Sequence, residues 1–128
     1  MIQFPMSLIM KIDLQNLTIE TLQAGYKAGD FTVRDVVDGY LENIKSKNDE
    51  INAYIETFNV EDQIARAEEI LKSGELQPLT GVPIAIKDNM LMKGCGASSG
   101  SKILENHTSV YDADVVRNLK DHGAIILG

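Results

Sequence analysis

In the run Leu79 to Met90, LTGVPIAIKDNM, an ammonium group directly follows three apolar residues: Lys87 comes after Ile84, Ala85 and Ile86. Read as a strand, VPIAIK sends Val82, Ile84 and Ile86 to one face and Pro83, Ala85 and Lys87 to the other. The lysine then shares its face with small side chains, which leaves room above it for another group or a ligand. Two readings follow. At a strand end Lys87 can lay its stem on the sheet and keep its charge in water. Buried instead, desolvation disfavours the ammonium and leaves a neutral amine able to act as a general base. Spacing alone leaves both open. The next two residues, Asp88 and Asn89, suit a turn, because their side chains bond nearby backbone.

GCGASSGS offers Ser98, Ser99 and Ser101 beside Gly96 and Gly100. Such a loop can present a nucleophilic hydroxyl or cradle an anion on its backbone N–H groups. It is also ordinary loop composition. The Gly-Lys-Ser/Thr of a phosphate-binding loop does not follow it in register. Cys95 and His107 could make a thiol–imidazole pair, but nothing in their spacing favours one. His122 falls in the last turn of a helix, where interaction with the dipole accounts for it. Two histidines and one cysteine lack any metal-site spacing.

The elements that must position these residues are legible from caps and periodicity. Thr18 caps a helix with Glu20 in its first turn, Leu17 and Leu22 form a hydrophobic staple, and Gly29 ends it. The pattern repeats with Thr32 as cap, Asp35 at N3, and Phe31 and Val36 as staple. Val33, Val36, Val37, Tyr40, Leu41 and Ile44 keep helical spacing, so residues 18–45 read as an antiparallel helical hairpin with a shared core. INAYIETF, Ile51 to Phe58, alternates as a strand. VEDQIARAEEILKSG is a third helix, with Ile64, Ala67, Ile70 and Leu71 as its apolar stripe and Gly74 at its end. A strand over Val82 to Lys87 precedes the Gly/Ser loop, and a short helix follows through Lys102 to Leu104. DADVVRNLKDHG is the last helix, capped by Asp112 and ended by Gly123, and AIILG is a buried strand. Helices alternating with strands give an α/β class.

At 128 residues the chain has the size of one small domain, and 44% hydrophobic with 24% charged residues is ordinary for a globular protein. A net charge of -7 repels phosphate backbones and argues against direct nucleic-acid binding by this segment. One cysteine excludes an internal disulfide and fits a reducing compartment. MIQFPMSLIMKI has neither the positive n-region nor the small-residue cleavage site of a signal peptide, and its apolar run is short of the roughly 20 residues a spanning helix needs. Met1, Met6 and Met10 are alternative starts, and residues 1–9 read as a start-site extension. Three strands are few for a βα-type sheet, and a strand such as Ile125 to Leu127 normally has a loop and covering helix after it. The chain therefore reads as a fragment of a longer protein.

LTGVPIAIKDNMLMKG, then SKILEN, then YDADVVRNLKDHGAIILG, taken in order, resemble the amidase signature family. The clear match covers residues 79–128. The resemblance implies the N-terminal part of one amidase signature domain over residues 1–128, an α/β fold of helices packed on a mixed sheet, incomplete in this chain. Residues 79–128 are then its catalytic-lysine segment. In this family the lysine of the IKD motif, here Lys87, belongs to a Ser–cis-Ser–Lys triad and draws a proton through the middle serine from the nucleophilic serine. That serine attacks a carboxamide, ammonia leaves, and water releases the acyl group. Both triad serines lie in later Gly/Ser-rich segments that this sequence does not include. GASSGSK falls where the family has TT-x-x-S-K, so Ser98 and Ser99 align there and inherit no nucleophile role.

The style of the match points within the family to glutamine-hydrolysing subunits of tRNA-dependent amidotransferases, which supply ammonia for converting Glu-tRNA(Gln) to Gln-tRNA(Gln). The resemblance then implies glutamine as substrate, B-type and C-type partner subunits, and tRNA met only through a partner. It implies no cofactor in this chain but ATP and Mg at the level of the complex, a cytoplasmic setting and no membrane. The alternatives are a free-standing amidase of the same family and, for the isolated chain, an inert scaffold or interaction module. An isolated fragment would also expose a sheet edge through which it could self-associate.

Overall fold

A computed structural model describes residues 12–128; the start-site reading of residues 1–9 lies outside them. Helix α1 spans Ile19–Ala28 and α2 spans Val33–Ile51. Both begin on the expected threonines. The Thr21 amide donates to Thr18 Oγ1 at 3.1 Å, while the Thr18 amide donates to Thr21 Oγ1 at 2.9 Å. Asp35 plays the reciprocal part for Thr32, accepting from its amide at 2.8 Å. Each box satisfies two N–H groups that a helix start otherwise leaves unpaired. Gly29, at φ 76°, ends α1. Leu22 and Tyr26 of α1 and Val33, Val36 and Val37 of α2 join one core cluster, as the shared apolar faces require.

The expected strand over Ile51 to Phe58 does not form. With no helix breaker before it, α2 runs on to Ile51, and Asn52 then turns the chain in a left-handed conformation at φ 54°. Asn48 clasps the returning backbone, donating to Tyr54 O and accepting from Tyr54 N–H, both at 2.8 Å. Ala53, Ile55, Glu56 and Thr57 stay exposed. Side chains alternate here, but among the described residues the segment joins no ladder. A lone amide of this segment reaches the sheet, Phe58 N–H donating to Leu127 O at 2.7 Å.

Helix α3, Glu61–Ser73, buries Ile64 and Ala67 and ends at Gly74. Strand β1, Pro83–Ile84, pairs in parallel with β2, Ile125–Ile126, with Pro83 opposite Ile125 and Ile84 opposite Ile126. The strand expected over Val82 to Lys87 is thus reduced to two residues of regular ladder. Cross-connections continue on both sides: Gly81 N–H to Gly123 O at 3.0 Å, Leu127 N–H to Ile84 O at 2.9 Å and Ile86 N–H to Gly128 O at 2.9 Å. Val82 O and Ile84 O are the acceptors for β2, so Pro83 turns its N away from β2 and its missing N–H costs this ladder no bond. Between the strands lie a 3-10 turn at Lys102–Leu104 and helix α4, Asp114–Asp121.

Asp112 does not cap α4. The N-cap is Ala113, without a side-chain bond. Asp112 instead accepts from the Lys93 amide at 2.8 Å and from Lys120 Nζ at 2.8 and 3.0 Å. The Lys120 ammonium and the Lys93 amide together occupy the carboxylate, which leaves it no part in the first turn of α4. His122 sits at the C-cap as expected, its Nδ1 2.7 Å from Asn118 O. The order α1–α2–α3–β1–α4–β2, with a parallel sheet, is part of an α/β fold. Among the described residues no helix is long and apolar enough to cross a membrane.

Candidate active site

Strand β1 carries the chain to Lys87, and the sheet fixes where that happens. Val82 is buried and Ile84 packs on the larger core cluster, whereas Ile86 packs on a second cluster built on Met92, Val116 and Ile126. Val82 and Ile84 thus pack on one cluster and Ile86 on the other, on the two sides of Ala85 in the chain. Beyond them, Lys87 O accepts from Met90 N–H at 2.8 Å, so Asp88 and Asn89 form the turn their types suggest. Lys87 itself is exposed. Its side chain makes no hydrogen bond or ion pair among the described residues, so the apolar strand delivers the amine to a surface opening and not into the core.

That opening is a cavity of about 740 Å³. Ala85 and Lys87 line it, so the small neighbour on the lysine's face does leave room over the amine. Tyr54, Glu56 and Phe58, from the segment expected to be a strand, line the cavity as well. Ser99 and Gly100 of the Gly/Ser loop form another part of the wall, as does Gly128. Gly128 is there for close approach: a Cβ on it would stand 2.2 Å from Glu56 O. Sequence reasoning missed the Tyr54, Glu56 and Phe58 contribution, because alternation argued for a sheet position and carried no signal of a cavity.

The Gly/Ser loop is held by its own short pairing. Gly94 N–H donates to Ser109 O at 2.8 Å, Ser109 N–H to Cys95 O at 3.0 Å and Ala97 N–H to His107 O at 3.2 Å. Glu56 Oε2 accepts from Gly96 N–H at 3.2 Å and ties the loop to the wall segment that carries it. Cys95 is half-buried; burial, and then Glu56, push its thiol above the ordinary value, which keeps it protonated and a poor nucleophile. No hydrogen bond joins Cys95 to His107 among the described residues, and the His107 side chain is exposed. Among the described residues no group of three or more His, Cys, Asp or Glu side chains is arranged to hold a metal ion.

Ser98, Ser99 and Ser101 are not gathered around Lys87 as a catalytic set. Ser98 is bonded to Asp88 through both its hydroxyl and its amide, the amide at 3.1 Å from Oδ1. Ser99 lies on the cavity wall, and Ser101 donates its amide to Ser98 O at 2.8 Å. What the site presents is one amine at an open cavity with carboxylates of Asp88 and Glu56 in its walls.

An α/β scaffold with a lysine delivered in this way defines a class. The chain belongs to the amidase family, whose model, described as Amidase, matches residues 35–128. Among curated proteins it is similar to the A-type subunit of the glutamyl-tRNA(Gln) amidotransferase from Alkaliphilus metalliredigens, 39% identical over 119 residues, 90% of this chain and 24% of that protein. The same-named protein of Lachnospira eligens is 40% identical over 121 residues, covering 91% and 25%. The chain spans about a quarter of the length of the curated relatives it matches. The crystal structure of the peptide amidase from Stenotrophomonas maltophilia superposes with a TM-score of 0.84 at 29% identity, over 91% of this chain and 25% of that one. An amidase family protein from Bacillus anthracis superposes at 0.86 with 23% identity, over 98% and 26%, and shows the fold.

Proposed function

We propose that the chain is the lysine-bearing part of a glutamine-hydrolysing subunit of a tRNA-dependent amidotransferase. The observation that carries this is Lys87, set by β1 at the mouth of a cavity, in a chain about 40% identical to A-type amidotransferase subunits over nine-tenths of its length. In the full-length protein the Lys87 amine takes a proton from a middle serine, which takes one from the nucleophilic serine. The serine oxygen adds to the carboxamide carbon of glutamine, the tetrahedral oxyanion collapses, and ammonia departs with the returned proton. Water then cleaves the acyl-serine ester to glutamate. By the resemblance both serines belong to later Gly/Ser-rich segments of the family's domain, and glutamine turnover is assigned to the full-length protein.

Ammonia would pass to a B-type subunit that amidates the glutamyl group on tRNA, with a C-type subunit in the assembly. ATP and Mg would be used at that partner, and the setting would be cytoplasmic. The acidic balance of the chain fits a protein that meets tRNA only through its partner. The test is Lys87→Met in the full-length protein, with ammonia release from glutamine measured and the fold checked by circular dichroism. Turnover is expected to vanish; near-normal turnover refutes the role.

A second reading, a free-standing amidase acting on other carboxamides, is favoured by the similarity to the peptide amidase. Ammonia release from glutamine that depends on added B-type and C-type subunits supports the first reading. Efficient hydrolysis of peptide amides without them supports the second.

A further inference from the structure

Asp88, next to the lysine, bonds the Gly/Ser loop and makes no ion pair with Lys87 among the described residues. Its carboxylate accepts the Ser98 amide at 3.1 and 3.2 Å and the Ser98 hydroxyl, while its carbonyl oxygen accepts the Ser99 amide at 3.2 Å. Ser98 Oγ in turn accepts the Gly100 amide at 3.2 Å. These bonds hold two consecutive left-handed residues, Ser99 at φ 51° and Gly100 at φ 68°, and both line the Lys87 cavity. A serine at positive φ needs such support, since its Cβ disfavours that conformation. The donors favour the charged carboxyl: Asp88 is held below the usual carboxylate value, chiefly by the Ser98 hydroxyl, with burial opposing.

We infer that Asp88 is a positioning residue, clasping Ser98 so that the Gly/Ser loop stands as a fixed wall of the cavity into which Lys87 opens. The inference rests on the amide-hydrolysing reading and deepens it. It also gives Ser98 a task that is not nucleophilic: the hydroxyl relays the hold from Asp88 to Gly100. A wall displaced by about an ångström misaligns bound substrate against the reacting groups, an error that can cost about a hundredfold in rate.

The experiment is a double-mutant cycle on kcat and KM for ammonia release, in the full-length protein with its partner subunits. Asp88→Ala is expected to lower kcat about a hundredfold and Ser98→Ala about tenfold, each with KM changed less than kcat. The double variant should be no worse than Asp88→Ala within about threefold, because both changes break one clasp. Ser98→Thr, which keeps the hydroxyl, should retain at least half the activity; a residue that only fills space would not distinguish Thr from Ala in this way. Additive losses, wild-type kcat in Asp88→Ala, or equal damage from Thr and Ala overturns the inference. Should Asp88→Ala fail to fold, the Ser98 pair decides by itself. Lys87→Met run alongside separates the levels: if it retains turnover, the functional reading fails and the inference with it. If it is dead while the Asp88 and Ser98 variants are unaffected, the clasp alone is refuted.

Discussion

Replacing Gln63 tests what holds the free side of β2. Its side-chain amide acts as a surrogate strand: Oε1 accepts the Ile126 amide at 2.8 Å and Nε2 donates to Ile126 O at 3.2 Å. Ile126 is fully buried, and its neighbours Ile125 and Leu127 spend their amides on β1. Gln63→Leu keeps the side-chain bulk and orphans both backbone groups. Each buried orphan costs about 1–3 kcal/mol. A cavity of about 160 Å³ beside Gln63 lets water reach the site, which favours the lower end, about 2 kcal/mol in total. For a domain of this size that lowers Tm by roughly 6–12 °C. Urea denaturation of the chain should show a lower midpoint at unchanged m, since the area exposed on unfolding hardly changes. Gln63→Glu adds a signed check. An ionised carboxylate faces Ile126 O with a second acceptor, whereas the protonated acid can donate to it. The folded state therefore raises the carboxyl pKa, and this part of the penalty is complete above the raised folded value, shrinks as pH falls from there toward the unfolded value near 4.3, and is gone below it. A Gln63→Leu unfolding free energy within about 0.3 kcal/mol of the parent would refute the surrogate-strand account.

Tyr26→Phe removes the hydroxyl that donates to Gly81 O at 2.8 Å, and should cost about 1–3 kcal/mol by urea denaturation at pH 7. Burial, and then Tyr40, push the Tyr26 phenol above its ordinary value. The folded state thus resists ionisation: the stabilisation is complete below the unfolded pKa near 10 and is lost as pH rises above it. The parent should weaken between about pH 9 and 11 more than Tyr26→Phe does. Gly123→Ala and Gly29→Ala share a positive φ, 87° and 76°, but only the first puts a Cβ 2.8 Å from Thr80 Cα. Backbone conformation costs both about 1–2 kcal/mol, and Gly123→Ala should exceed Gly29→Ala by at least about 1 kcal/mol in the same assay. Equal losses would show that the Gly123–Thr80 approach is not tight.

Local physics determined much of this protein from the sequence alone. Thr18 and Thr32 start helices, and Gly29 and Gly74 stop them, because capping and left-handed turns depend on residues a few positions apart. The apolar faces of α1 and α2 name their own core. The IKD motif with its following segments names the family. Tertiary structure decided what depends on distant partners. Alternation in Ile51 to Phe58 satisfied a strand pattern, yet a strand needs a neighbour, and Asn52 turned the segment into a cavity wall instead. Asp112 had the chemistry of a cap and was taken by Lys120. Asp88 and Ser98, ten residues apart with no periodic relation, meet only because the Gly/Ser loop folds back on β1. Lys87 could be read as a base or as a solvated stem from its spacing; the sheet places it in the open, at a cavity whose other walls come from far along the chain.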